Sequence, residues 1–409
     1  MLGANVVTGI HGIFVNSRRQ KLHTLHYPSK SGPPAALLFL HHGLAEHSGR
    51  YDKGKRSFKS MPKRTSKMML LTFAWIRYPA PPQHVTLTTP SPSPHSGSAV
   101  CRYLADNGIA VYTYDAHGHG RSEPLDVNSR AYIQSYTHLV DDLSDYMDSV
   151  LASLTPATTT STPPPPSAAA AAPDPHSTTQ PQQQQQSSAM QPSPQPLSST
   201  PPPPPVFMLG HSMGGLVAAL LCLRRQQQVA GLLLHSPLVD IEWTPVLRVQ
   251  AMVGGLLATL VPRARLVPAV RPEDMSQDPR VVADYVADPL NTVGPVRTRT
   301  GHELLRGVSE LRRRASELVL PVYVCHGTRD ATTSAAMSRR LVEGPGGVSS
   351  GDKVFRSVEG GYHELLHGPE WEECTGEVLA WMRARMEGRA GSRAVGGGGA
   401  GAGAIRAKM

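Results

Sequence analysis

Residues 206–209, Val-Phe-Met-Leu, run into Gly210-His211-Ser212-Met213-Gly214, and a helix-forming stretch at 216–225 follows at once. A short apolar strand, a turn with glycine at both ends and a helix leave little choice of local structure. The serine must sit on a tight strand-to-helix bend with its hydroxyl exposed, because side chains flanking it would clash with the strand and the helix. The pattern G-x-S-x-G is weak by itself, and Gly347-Val348-Ser349-Ser350-Gly351 matches it too. No strand and helix flank Ser349, so Ser212 is the candidate nucleophile and Ser349 reads as a residue of a surface loop.

Such a bend needs a sheet to carry it. Short, mostly apolar runs at 35–40, 109–114, 206–209, 231–234, 322–325 and 354–358 have the character of parallel strands covered on both faces. Helical spacing separates them, most clearly in Tyr136, Leu139, Val140, Leu143, Met147 and Val150, and again at 216–225 and 371–386. This alternation predicts an α/β fold with a mostly parallel, doubly wound sheet. An opening hairpin is expected from 10–15 and 22–27 around the polar turn 16–20.

Three stretches break the order. Residues 53–97 are basic and then rich in Pro, Ser and Thr, and read as translated noncoding sequence, a retained intron in the gene model. Residues 155–205 are low complexity, with runs of proline and glutamine that bury too little apolar surface to offset their ordering entropy. A disordered loop is expected there, tolerable because closing a flexible loop costs only ~0.6 kcal/mol per doubling of its length. The Gly-rich tail, 389–409, is expected to be disordered as well. The core is therefore assigned to 1–52, 98–154, 206–236 and 306–388, and the interruption at 237–305 to a helical cap.

Lysine and arginine exceed acidic residues, 40 to 31, for a formal net charge of +9. The basic residues cluster at Arg50, Lys53, Lys55, Arg56, Lys59, Lys63, Arg64 and Lys67, at Arg312 to Arg314, and in the tail, without an aromatic-rich sheet motif. That pattern argues against nucleic acid as a partner and for a solvated surface. Cys101, Cys222, Cys325 and Cys374 are far apart and have neither C-x-x-C nor zinc spacing, so no metal or other cofactor is expected and a reducing compartment fits. With neither a signal-type N-terminus nor an apolar run of about 18 residues, a soluble cytoplasmic protein is expected, with peripheral membrane contact as a further expectation.

A serine nucleophile in this fold takes its acid and then its histidine later in the chain. His326, His363 and His367 compete for the base. His363, on a loop opened by Gly360-Gly361, is best placed, while His326 reads as a structural hydrogen-bonding residue at a strand end and His367 as a helix surface residue. Asp330 follows a strand end and is preferred as the acid over Asp352 and Glu364. The backbone amides of Met213, at a helix N-terminus, and Leu44, after the run ending in His41-His42-Gly43, are the candidate oxyanion donors, against a plain turn with two solvated histidines.

With these residues in place the sequence resembles the monoacylglycerol lipase and lysophospholipase family of α/β-hydrolases, a group of serine aminopeptidase-like hydrolases. The likeness rests on five collinear segments: residues 42–51, Tyr114-Asp115-Ala116-His117-Gly118-His119-Gly120-Arg121-Ser122, Gly210 with the residues to Gly215, Asp278-Pro279 with residues 285–290, and His326-Gly327-Thr328 through Asp330 to Gly361-Tyr362-His363-Glu364-Leu365-Leu366. It implies the α/β-hydrolase fold, catalytic Ser212, Asp330 and His363, oxyanion amides on Leu44 and Met213, and a lipid ester substrate. Asp115, His117 and Arg121 are expected to be structural. The cap carries Val246, Leu247, Val249, Met252, Val253, Leu256, Leu257, Leu260 and Val261, a stripe wider than one buried helix face needs. It is expected over the serine, where Leu256, Leu257 and Leu260 would contact an acyl chain, or against a lipid surface. Alternatives are the same chemistry as an esterase, thioesterase, acyltransferase or aminopeptidase, and a non-catalytic small-molecule receptor of this fold.

Overall fold

The computed structural model describes residues 9–52, 99–155 and 203–396 apart from 269. The insertion read at 53–97, the loop read at 155–205 except at its ends, and the tail beyond 396 lie outside the described residues. By its contacts the chain divides into Met1–Asp148 with Pro204–Met409, and Ser149–Pro203. Of the second unit, only Pro203 and the end of one helix with the residue after it are described.

In chain order the elements are β1 (Ile10–Val15), β2 (Lys21–Tyr27), β3 (Ala36–His41), α1 (Val100–Asp106), β4 (Ile109–Tyr114), α2 (Tyr136–Leu154), β5 (Val206–His211), α3 (Met213–Arg225) and β6 (Gly231–His235). There follow α4 (Pro245–Leu260), β7 (Arg265–Val267), α5 (Pro279–Ala287), β8 (Val296–Arg297), α6 (Thr298–Arg314), β9 (Val322–Gly327), α7 (Ala335–Glu343), β10 (Lys353–Val358) and α8 (Trp371–Gly396). The eight-stranded sheet has the order β1-β2-β4-β3-β5-β6-β9-β10, while β7 and β8 form a separate small ribbon. β1 and β2 are the expected hairpin, β2 pairs antiparallel with β4, and the strands from β4 to β10 pair in parallel.

Every residue of β3, β4, β5, β6 and β9 is buried, which explains why these strands read as unbroken apolar runs rather than as alternating ones. On one face Leu38, Leu40, Phe207 and Leu233 belong to the same core as Leu104 of α1 and Val378 and Met382 of α8. Removing any such side chain from water contributes roughly 1.5–3 kcal/mol.

Three boundaries differ from the sequence reading. Helix α3 begins at Met213 rather than 216, taking in two glycines that look like breakers. Helix α8 continues through Gly396, past the point assigned to the tail, because extending a formed helix is far easier than starting one. Helix α6 runs unbroken across 305, so the cap boundary drawn there falls inside a helix whose Thr300, Glu303 and Leu304 are buried.

Candidate active site

Ser212 sits between β5 and α3 with φ 53° and ψ −120°, in the left-handed region that side chains avoid. Such a conformation costs on the order of 1–3 kcal/mol and survives only where its surroundings enforce it. Here the Ser212 amide donates to the His235 carbonyl at 3.1 Å, and the Ser212 carbonyl accepts from the amides of Gly215 at 3.0 Å and Leu238 at 2.9 Å. The flanking glycines are demanded by space. A Cβ on Gly210 would lie 2.2 Å from the Gly214 carbonyl oxygen, and one on Gly214 would lie 2.0 Å from that of His41.

The register of β3 against β5 pairs His41 with Gly210, so the loop leaving β3 arrives beside the elbow. A Cβ on Gly43 would stand 3.2 Å from the Ser212 Cβ. Leu44 comes next, and Met213 opens α3, where helix geometry leaves the first amides free of intrahelical partners. His41 and His42 are fully buried, not solvated. His42 Nδ1 lies 2.7 Å from the Gly43 carbonyl and its Nε2 accepts the Ala116 amide at 2.9 Å, which makes it a neutral strut under the loop. Burial pushes the His41 pKa down to about 3.

The candidate acid and base follow the last two strands of the sheet. Asp330 follows β9, His363 follows β10, and His363 Nδ1 lies 2.8 Å from Asp330 Oδ2. Asp330 Oδ1 accepts the amides of Thr332 at 2.7 Å and Thr333 at 3.0 Å. Burial alone would raise the Asp330 carboxyl, but His363 and His326 beside it hold it well below the usual carboxylate range. It is thus an ionised acceptor that fixes the His363 tautomer with a proton on Nδ1 and leaves Nε2 to take one. Asp352 is bound by Arg385, and Glu364 by Arg50, so neither competes for His363.

Beneath these groups lies an ion cluster that the sequence reading missed. Glu46 Oε1 accepts from the Gly43 amide at 2.5 Å, Tyr51 Oη at 2.8 Å and His211 Nδ1 at 3.1 Å. Its other oxygen pairs with Arg50, whose guanidinium also reaches Glu364 at 2.9 Å. One carboxylate therefore ties the loop after β3 to the residue before Ser212 and, through Arg50, to the residue after His363. Burial raises the Glu46 carboxyl, but Arg50 and His211 more than reverse that. Burial likewise depresses the His211 pKa, and the Glu46 carboxylate outweighs it, leaving His211 raised. Glu46, His211 and Glu364 bring ligand atoms within 4.8 Å of one another, and Arg50 is ion-paired to both carboxylates of that set. His367 belongs here too. It is buried, paired with Glu364 and edge-on to Tyr51 at 4.5 Å, not on a helix surface. Arg50 likewise leaves the basic surface cluster in which composition placed it. Replacing Arg50 by Met strands two buried carboxylates, and we expect a loss of about 3–5 kcal/mol in denaturant unfolding.

Asp115 is structural, accepting the amides of Ser48 at 2.8 Å and Arg121 at 2.7 Å. Ser349 is exposed, and its amide donates to the Leu318 carbonyl at 2.9 Å. Arg312, Arg313 and Arg314 pair with Asp240, Glu310 and Glu317, as a solvated surface would. All four cysteines are free and buried. Leu256 and Leu260 of α4 are exposed and Leu257 is half-buried; α4 packs along α6. Among the described residues, no helix is long and apolar enough to cross a membrane.

The sheet order, the strained serine after β5, and an acid and a histidine after β9 and β10 define an α/β-hydrolase. A family described as serine aminopeptidase, S33 (Hydrolase_4) matches residues 95–158 and 193–370, more than half of the chain, and the chain belongs to that family. It is 32% identical to a monoacylglycerol lipase of Mycolicibacterium smegmatis over 157 residues, 38% of this chain and 54% of the relative. It is 34% identical to caffeoylshikimate esterase of Arabidopsis thaliana over 107 residues, 26% of this chain and 31% of that protein. The chain spans about half the length, or less, of the curated relatives it matches. A solved structure of a soluble variant of Saccharomyces cerevisiae monoglyceride lipase, in complex with a substrate analog, shares the fold at a TM-score of 0.62 and 15% identity, covering 94% of this chain and 97% of that one.

Proposed function

We propose that the protein is a serine carboxylester hydrolase that cleaves monoacylglycerols or lysophospholipids to a free fatty acid through an acyl-enzyme. The observation that carries this reading is the 2.8 Å contact of His363 with Asp330, in a site whose serine is held on a strained elbow. Ser212 Oγ attacks the ester carbonyl carbon as its proton passes to His363 Nε2. The amides of Leu44 and Met213 receive the oxyanion, and collapse expels the alcohol, which takes the proton from His363. Water, deprotonated by His363, then attacks the acyl-enzyme and releases the fatty acid, restoring Ser212. No metal or other cofactor enters these steps.

The lipid reading draws on the likeness to the Mycolicibacterium smegmatis monoacylglycerol lipase and on α4. Val249, Met252, Val253, Leu256 and Leu260 are exposed at three- and four-residue spacing, with Met252 78% and Leu260 67% accessible. A bare apolar helix face of this kind suits a lipid surface, on which the protein would rest peripherally, and Leu256, Leu257 and Leu260 would meet the acyl chain at the entrance. If so, each methylene buried on binding adds ~0.8 kcal/mol, and long-chain monoacyl lipids should far outperform acetate and butyrate esters. Replacing Leu256 and Leu257 together by Asp should depress long-chain hydrolysis and spare short soluble esters, since the triad lies on other elements. Equal loss on both substrates would make the stripe packing alone. A second reading, hydrolysis of a non-lipid ester, is supported by the likeness to caffeoylshikimate esterase, and a wild-type preference for short or aromatic esters would favour it.

A further inference from the structure

One carboxylate oxygen in this site serves two imidazoles. Asp330 Oδ2 lies 2.8 Å from His363 Nδ1 and 3.0 Å from His326 Nε2. An ionised carboxylate brings no proton, so both ring nitrogens carry hydrogen toward it. His326 is fully buried at the end of β9, and its Nδ1 lies 2.8 Å from the hydroxyl of buried Ser338 on α7. With Nε2 protonated, Nδ1 of the neutral ring accepts from that hydroxyl. The result is a directed chain from Ser338 to His326 to Asp330, converging on the atom that also holds His363. Thr333 Oγ1 sits 2.9 Å from the same oxygen and 3.0 Å from the Ser236 carbonyl, to which it can donate instead.

We propose that His326 is a positioning residue that acts through Asp330, orienting the carboxylate and drawing charge from the oxygen that it shares with His363. The proposal rests on the reading of His363 as the general base. A hydrogen bond donated to a carboxylate draws charge out of it, and what remains stabilises the imidazolium of His363 less. The other groups around the pair are His211, ring to ring with His363 at 4.8 Å, the Glu46 carboxylate behind it, Glu364 turned to Arg50, and His235 of β6 beside His326. The test leaves all of these in place.

The experiment is a pH titration of histidine side-chain resonances in the full-length ¹⁵N-labelled protein, wild type against His326→Leu and His326→Gln, paired with the acid limb of kcat/KM on a soluble ester. Leu removes the donor and leaves more charge on the shared oxygen, so the His363 resonances and the acid limb of kcat/KM should both move to higher pH than in wild type. Gln places an amide donor near the former Nε2 and should restore the wild-type midpoint. An unchanged His363 midpoint in the Leu variant, or a Gln variant displaced as far as Leu, would overturn the proposal. If the Leu variant does not fold, His326→Asn, too short to reach Asp330, should give the same upward shift, and an unchanged midpoint there would be equally fatal. The resonance titration needs no turnover. A wild-type protein without hydrolysis would therefore sink the catalytic reading, while the midpoint shift still decides the role of His326.

Discussion

Ser212→Ala is expected to abolish ester turnover, a loss on the order of 10⁶-fold, and to abolish labelling by a fluorophosphonate probe, while the unfolding transition stays in place. The elbow keeps its shape without the hydroxyl. Its backbone is fixed by the amide and carbonyl bonds to His235, Gly215 and Leu238 and by the contact of Gly214 with the His41 carbonyl, none of which involves Oγ. Ser349→Ala, in an exposed loop with the same five-residue pattern, serves as the control and should label like wild type. Persistent labelling of the Ser212→Ala protein would move the nucleophile elsewhere, and an unlabelled, inactive wild type would favour a non-catalytic receptor.

Asp330→Asn is the second large effect, expected to lower kcat by roughly 10⁴-fold with the fold retained, because an amide facing His363 Nδ1 stabilises the wrong tautomer and no imidazolium. The carboxamide keeps most of the local bonds, since the amides of Thr332 and Thr333 can still donate to its oxygen. Single-turnover acylation kinetics with near-normal rates would show that a different carboxylate serves His363. The geometry leaves little room for that, with Glu364 committed to Arg50 and Asp352 to Arg385.

The strands, the elbow and the pairing of Asp330 with His363 were legible because each rests on a local signal: an apolar run, a glycine-flanked serine, an acid and a histidine after strands. The ion cluster was not, because its members pair across distance. Arg50 and Glu364 are 314 positions apart, and nothing near His367 announces that Glu364 and Tyr51 will enclose it. A helix-surface histidine and a buried, paired one have the same neighbours in sequence. The cue that could have found the cluster is Glu46 and Arg50 at i,i+4 directly after the candidate oxyanion loop, where exposed charges would have no packing reason to sit. The start of α3 was misplaced for the opposite reason. Gly214 and Gly215 look like helix breakers locally, yet the space beside His41 and Pro237 admits nothing larger. Composition also hid α6, whose basic outer face masks the buried positions Thr300, Glu303 and Leu304.

The positive φ of Ser212 sets the chemistry of this site against its thermodynamics. A glycine at 212 would adopt that backbone with ease, whereas every L side chain there is strained, so selection for thermal stability alone would drive the position toward glycine and away from a nucleophile. Efforts to harden the protein by sequence averaging or library selection would therefore need an activity screen running alongside, and the elbow, rather than the hydrophobic core, is where the two demands diverge first.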